Sequence, residues 1–385
     1  MPKYNIAFAT DENYLPYTFV VCQSIIDSIS TQYRDISSDD SIIFHILTDK
    51  SVDIADLQLK ANSFQERNKA IINNLMVIHD IDVNQFASCN GWGIHASKSI
   101  YYRLLLSELL DPSIKEILYL DVDTLVLKDI RALFDKTDLS AHIAAVVLDS
   151  VIANESADKI ISISDPNDKK RRFNINPSNY FNSGMILINL EKWRQHQIGL
   201  KCIELVKCNL LYPDQDALNI AIPDPLIIDG KWNVQTTIYY GYEYNPAQSK
   251  FFFRTGYKEL SPVKNPKLEE GIISSMEDPA ILHFNAFKPW QSQVNSYIND
   301  TQYICNDNTY ELIQLWQQTA SKVIEFSNQL RNIKFDQLMN ANILILQLQS
   351  EIRSEIKARR RMRKHFVIVL FVLLAIQISM FLYID

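Results

Sequence analysis

Five apolar stretches in the first 150 residues each run into an aspartate, and this regularity constrains the fold of the 385-residue chain more than any other feature. The acids are Asp11 after "YNIAFAT", Asp49 closing "IIFHILTD", Asp80 in "LMVIHDID", Asp121 in "EILYLDVD" and Asp149 closing "AAVVLD". Between them lie amphipathic helical patterns, "FVVCQSIIDSIS", "IADLQLKANSFQER" and "SIYYRLLLSELL". Strands alternating with helices indicate an α/β chain with a parallel sheet covered by helices on both faces. In such sheets the ligand crevice lies beyond the carboxyl ends of the strands. The acids therefore collect along one rim, which suits a metal and a hydroxyl-rich ligand.

The fourth stretch, "KEILYLDVDTLVL", is the most demanding. Asp121 and Asp123 repel each other, and taking each out of water costs several kcal/mol unless a cation or hydrogen-bond donors stand close by. The alternative is a strand that finishes at a solvated turn, with Lys128 and Asp129 as further surface charges.

An apolar fraction of 47% and a charged fraction of 22% describe a globular protein with a large core. A net charge of −7 argues against a general nucleic-acid binder. Five cysteines with no C-x-x-C pair suggest neither a disulfide framework nor a zinc site, and all are expected to be reduced. The opening "MPKYNIAFATDENY" lacks the pattern of a secretory signal. Residues 150–180 read as polar loops, "YFNSGMILINLEKW" as a strand, and "QHQIGLKCIELVKCN" and "YPDQDALNIAI" as helices.

From about 308 to 357 glycine and proline vanish. Trp316, Val323 and Leu330 recur every seven residues, as do Phe326 and Ile333; after a slip, Leu338, Ile345 and Ile352 continue. This predicts a helical stalk, capable of self-association, over 301–357. A basic segment follows over 358–365, within a cluster that begins at Lys357 and includes Arg359, Arg360, Arg361, Arg363 and Lys364. "FVIVLFVLLAIQISMFLYI", residues 366–384, is 19 residues without a charge, long enough for a transmembrane helix. Juxtamembrane Lys and Arg mark the cytoplasmic side, so the large N-terminal part, residues 1–300, is expected to face the cytosol.

Five segments in this order, "FATDENY", "SIYYRLLLSELL…EILYLDVD", "YFNSGMILINLEKW", "YPDQDALN" and "HFNAFKPW", resemble the retaining glycosyltransferases of family eight, the group of bacterial lipopolysaccharide galactosyl- and glucosyltransferases related to glycogenin. The resemblance runs from Tyr4 to about Trp290. It implies a GT-A-type, Rossmann-like mixed sheet flanked by helices, and transfer of galactose or glucose from a UDP-hexose to a glycan or glycolipid acceptor. It also implies that Asp121 and Asp123, with Val122 between them, are the metal-binding D-x-D, and that His283 is the third protein ligand. Two carboxylates with an imidazole suit Mn²⁺ better than Mg²⁺, which is the alternative.

The same resemblance puts Ala9, Asp11, Asn13 and Tyr14 at the nucleotide, where the residue-level alternative is a capped strand-to-helix loop. Arg103 resembles the arginine on sugar and phosphate oxygens, and Lys288 the cation on the departing phosphate. Asp149, Asn182, Asp214 and Gln215 look like the groups holding the hexose hydroxyls. Gln215 and Asp216 are the candidates nearest the anomeric carbon. An amide is a poor nucleophile, so front-face transfer is the expected route. One departure stands out: "HFNAFK" is a residue shorter than the family pattern, and the usual glycine is either replaced by Ala286 or absent.

Two other readings compete. "LDVDTL" resembles the haloacid-dehalogenase phosphatase signature, but there the threonine stands two residues after the second aspartate and Thr124 follows it directly. A membrane-tethered inactive relative acting as a scaffold is the other. The expectation is an enzyme on the inner face of a bacterial inner membrane, building lipopolysaccharide or lipooligosaccharide. Galactose and glucose differ in the orientation of one hydroxyl, and no residue decides between them.

Overall fold

The structure is a computed structural model. It describes residues 3–333 except 38–39, 88, 90–96, 155–160, 165–171, 209, 246, 249, 256–258, 286–287, 292–296, 299–300 and 303–306. Residues 1–289 and 294–330 make one compact unit, described here; 290–293 and 331–385 group separately.

The acid-ended stretches are strands: β1 (Lys3–Ala9), β2 (Ser41–Asp49), β3 (Asn73–Ile81), β4 (Glu116–Leu120) and, after the short β5 (Thr124–Val126), β6 (Ala144–Leu148). Continuous apolar runs fit strands that are covered on both faces; all five residues of β6 and six of seven in β1 are buried. With β7 (Phe181–Asn189) and β8 (Leu226–Ile227) they form a seven-stranded sheet in the order β8-β6-β7-β4-β1-β2-β3. β1 is parallel to both β2 and β4, and β2 to β3, so their carboxyl ends share one rim.

The sheet is mixed, as the family resemblance implies, rather than the parallel sheet that strand–helix alternation alone indicates. β7 lies antiparallel between β4 and β6. Eight of its nine residues are buried. A strand covered on both faces shows the same apolar run in either direction. A second sheet, β9 (Val234–Gln235), β10 (Ile281–His283) and β5, stands beside the first.

Helix α1 (Leu15–Ser28) begins with a proline in its first turn and packs on β5, and α2 (Ile54–Asn68) packs on β3. The Asp53 carboxylate caps α2 by accepting from the amides of Ala55 and Asp56. Further on, α3 (Ile198–Leu205) packs on α4 (Pro213–Ala221), which in turn packs on β7. The stretch 99–110 is not a regular α-helix: it is a 3₁₀ segment, Lys98–Leu105, followed by one α turn, Leu106–Leu109. Side chains hold the tighter winding, with Ser97 Oγ accepting from the Ser99 amide and Arg103 Nε donating to the Ile100 carbonyl.

Residues 307–330, inside the span expected as a stalk, pack on the sheet domain. In α5 (Asp307–Ala320) Trp316 is buried with its ring 6.1 Å from Tyr17, and Phe326 meets Phe19 at 5.0 Å. The Glu325 carboxylate pairs with Arg67 at 3.0 Å and Lys322 with Asp27 at 2.7 Å. The heptad positions Trp316, Val323 and Leu330 are thus buried within the first unit. The remaining stalk, the basic segment and the apolar run 366–384 lie outside the described residues. Among the described residues, no helix is long and apolar enough to cross a membrane.

Candidate active site

At the carboxyl rim of β1 and β4 lies a cleft of about 500 Å³. It is lined by Ala9, Asp11, Asn13, Tyr14, Ser97, Ser99, Ile100, Arg103, Tyr119, Asp121, Val122, Asp123, Ser183, Tyr212, Pro213, Asp214, Gln215 and Lys288. Most of the residues singled out from the sequence therefore meet there. Four carboxylates face two cations, and a polyphosphate entering the cleft would add to the negative excess.

Strand pairing brings the triad together. Asp121 follows β4, and its amide donates to the Gly184 carbonyl of β7 at 2.8 Å. β5 leaves the D-x-D and pairs antiparallel with β10, with Thr124 opposite His283. The Phe284 amide then closes on the Asp123 carbonyl at 2.8 Å. His283 Nε2 consequently sits 3.3 Å from Asp123 Oδ1 and 4.0 Å from Asp121 Oδ2. The ligand atoms of all three residues lie within 4.8 Å of one another. Two oxygen donors and one imidazole nitrogen converging this way fit a divalent transition-metal ion. The fit depends on Gly184: a Cβ there would stand 2.2 Å from His283 Cε1 and 2.9 Å from Asp121 Oδ2.

Lys288 Nζ donates to Asp123 Oδ2 and, at 2.8 Å, to the Phe284 carbonyl. Burial pushes the Asp123 carboxyl up, but Lys288 and His283 outweigh it and hold the group well below the usual carboxylate range. Arg103 is almost fully buried. It donates to Asp121 Oδ1 at 2.6 Å and to the Ser183 carbonyl at 2.7 Å, lies 3.5 Å from Asp214 and stacks 4.1 Å over the Tyr119 ring. In this arrangement the guanidinium neutralises and orients two acids. Burial still raises the Asp214 carboxyl, with Arg103 opposing.

At the end of the cleft beside β1, Asp11 Oδ1 accepts from the amides of Asn13 and Tyr14, so this carboxylate both lines the cleft and ties down the turn into α1. At the far end, the Gln215 amide is held from both sides. Its Oε1 accepts from the Ser183 amide at 3.0 Å, and its Nε2 donates to Asp149 Oδ2 at 3.3 Å. Asp149 and Asn182 sit directly behind this wall, joined at 3.3 Å.

Asp216 is not brought into the cleft. Tyr180 donates to one of its oxygens at 2.5 Å, and the amides of Leu211 and Tyr212 to the other at 3.0 Å, so this buried acid braces the start of α4. Of the rim acids, Asp49 is engaged by the Tyr102 hydroxyl and the Ser51 amide, and Asp80 does not line the cleft. Ala286 and the shortened part of the loop before Lys288 lie outside the described residues.

The sequence reading missed Ser97, Ser99, Ile100, Tyr119, Ser183, Tyr212 and Pro213 as lining residues, and Asn233, whose Oδ1 is 3.0 Å from His283 Nδ1. Tyr119 carried a signal, since in a strand it shares a face with Asp121, two residues on; its hydroxyl donates to Asp121 Oδ1 at 2.9 Å. Asn233 had none.

General stress protein A of Bacillus subtilis (strain 168) is 30% identical over 218 residues, 54% of this chain and 65% of that protein. The lipopolysaccharide glucosyltransferase WaaO of Escherichia coli (strain K12) is 25% identical over 85% of this chain and 83% of its own. The chain spans just under two thirds of the length of several curated relatives it matches. Among solved structures, the galactosyltransferase LgtC in complex with donor and acceptor sugar analogues superposes with a TM-score of 0.57 at 22% identity, covering 86% of this chain and 99% of that one. That likeness shows the mixed-sheet, GT-A-like α/β fold. The family model described as glycosyl transferase family 8 matches residues 5–294, and the chain belongs to that family.

Proposed function

We propose that this protein is a retaining hexosyltransferase that moves galactose or glucose from a UDP-hexose to a hydroxyl of a glycan acceptor, with a divalent cation held by Asp121, Asp123 and His283. The observation that carries the reading is the convergence of Asp121, Asp123 and His283, with both acids and Lys288 lining the cleft. Bound there, a cation such as Mn²⁺ would supply positive charge to the diphosphate leaving group.

The remaining work belongs to the chain's own residues. Asp11, Asn13 and Tyr14 line the end suited to the uridine. Lys288 stabilises negative charge on the departing phosphate, exchanging its contact with Asp123 for one with a phosphate oxygen. Asp214 and Gln215, with Asp149 behind them, present acceptors and donors to the hexose hydroxyls. Gln215 is held by its neighbours as a fixed dipole, while in the same turn Asp214 lies 3.5 Å from Arg103 and Asp216 is bound by Tyr180. This favours front-face transfer, in which the departing phosphate takes the acceptor's proton.

The names of the relatives support a lipopolysaccharide or lipooligosaccharide acceptor. The apolar run 366–384 behind six basic residues supports anchorage to the inner membrane with the catalytic domain in the cytoplasm. A screen of UDP-sugars for UDP release, with and without Mn²⁺, tests the reading. Release from UDP-galactose or UDP-glucose that disappears on chelation is expected. No metal-dependent release from any UDP-hexose overturns it and leaves the scaffold, and phosphate release from simple monoesters would instead indicate a phosphatase.

A further inference from the structure

Behind the triad runs a line of buried side-chain amides whose polarity can be read from its ends. At one end is Asp149. Its Oδ1 accepts from the amides of Val151 at 3.0 Å and Ile152 at 2.9 Å, and its Oδ2 lies 3.3 Å from Asn182 Nδ2. A carboxylate only accepts, so Asn182 must donate there and turn its Oδ1 the other way. That oxygen is 3.0 Å from the Gly184 amide, which can only donate, and 3.0 Å from Asn233 Nδ2. With its amide nitrogen so used, Asn233 presents its Oδ1 to His283 Nδ1 at 3.0 Å. An amide oxygen has no proton to give, so the proton of the neutral ring is on Nδ1. The electron pair is then on Nε2, which faces the oxygens of Asp121 and Asp123. Asn182, Asn233 and His283 are 7%, 1% and 4% exposed, so water offers no substitute for these partners.

We propose that Asn233 is a positioning residue that holds His283 in the Nδ1–H tautomer, and that the direction of this hydrogen-bond line is imposed by Asp149. The inference rests on the triad being a cation site. Partners of this kind fix the ring orientation and tautomer of a metal-binding histidine. The contact arises because β9 and β10 run side by side, which brings Asn233, the residue before β9, against the last residue of β10.

The test uses the full-length protein in detergent, labelled with ¹⁵N-histidine. Metal-free long-range ¹H–¹⁵N spectra report which ring nitrogen carries the proton; the His283 signals are those lost in His283→Gln. The wild-type ring is expected as Nδ1–H. Asn233→Leu should lose that preference and weaken Mn²⁺ binding, followed by the signal of free Mn²⁺ in electron paramagnetic resonance, by about ten- to a hundredfold. Asn233→Asp keeps an acceptor for the Nδ1 proton and should retain the tautomer, with Mn²⁺ affinity within about threefold of wild type or tighter. A purely structural role would move the two variants together and leave the tautomer alone. An Nε2–H ring in the wild type overturns the proposal even if Asn233→Leu fails to fold, as does an Asn233→Leu protein with unchanged tautomer and affinity. Wild-type protein that binds no Mn²⁺ overturns the cation-site reading beneath it.

Discussion

Gly184 carries no functional group, yet the triad leaves it no room for a side chain. A methyl group there must push on the His283 ring and Asp121 together, so Gly184→Ala should weaken Mn²⁺ binding and lower turnover, each by about tenfold or more. Metal titration and steady-state rates check this. Lys288→Met should leave Mn²⁺ bound while lowering kcat by about a hundred- to a thousandfold, the usual cost of losing one group that stabilises developing charge. Equal kcat would mean that the shortened loop keeps Lys288 on Asp123 throughout the reaction. At this scale the sequence showed the residues whose chemistry is conspicuous: two paired acids, a histidine and a lysine in recognisable segments. Which of Asp214, Gln215 and Asp216 face the cleft depends on how the first turn of α4 is rotated, and the amides of Leu211 and Tyr212 claim Asp216. Asn233 was out of reach because its partner stands 50 residues away and the two meet only through strand pairing.

Strands and helices announced themselves by period, but not by direction or neighbour. The continuous apolar run of β7 marks a strand covered on both faces and is silent about whether it runs up or down. The heptads of 316–330 likewise mark a buried face without saying what buries it; α1 and α2 do. Trp316→Ala should therefore destabilise the sheet domain by about 3–5 kcal/mol, measurable by denaturant unfolding; a loss near zero would mean that this segment is dispensable to the domain. Glu116, at the start of β4, gives a pH prediction. Burial, with Asp135 adding, raises its carboxyl from 4.5 to about 7, and its Oε1 has no hydrogen-bond partner among the described residues. Between those pH values the unfolded chain releases a proton that the folded one retains, so stability falls as pH rises across that window. Glu116→Gln should raise the thermal midpoint at pH 8 by the equivalent of about 1 kcal/mol, allowing for the side chain's part exposure, and leave it unchanged below pH 4.5. Melting curves at the two pH values decide.

For the molecule as a whole, the packing of 307–330 bears on where the catalytic domain can be cut. A chain ended after Ser354 keeps α5 and should remain active on a small acceptor; under the proposed membrane anchorage its rate on acceptor in membranes should be lower. A chain ended at about residue 302 loses Trp316 and Phe326 from the flank of α1 and should unfold at lower denaturant. Fractionation and paired assays of full-length and shortened protein test the tether; full-length protein in the soluble fraction would remove it from the account. The most direct measurement of the central claim is calorimetric titration with UDP, with and without Mn²⁺, of the wild type and of Asp121→Ala and Asp123→Ala. Metal and nucleotide that share one site strengthen each other's binding reciprocally. The account predicts UDP affinity about tenfold or more higher with Mn²⁺ in the wild type, within the usual range of such coupling, and no gain in either variant. Equal UDP affinity with and without the metal in the wild type would contradict it.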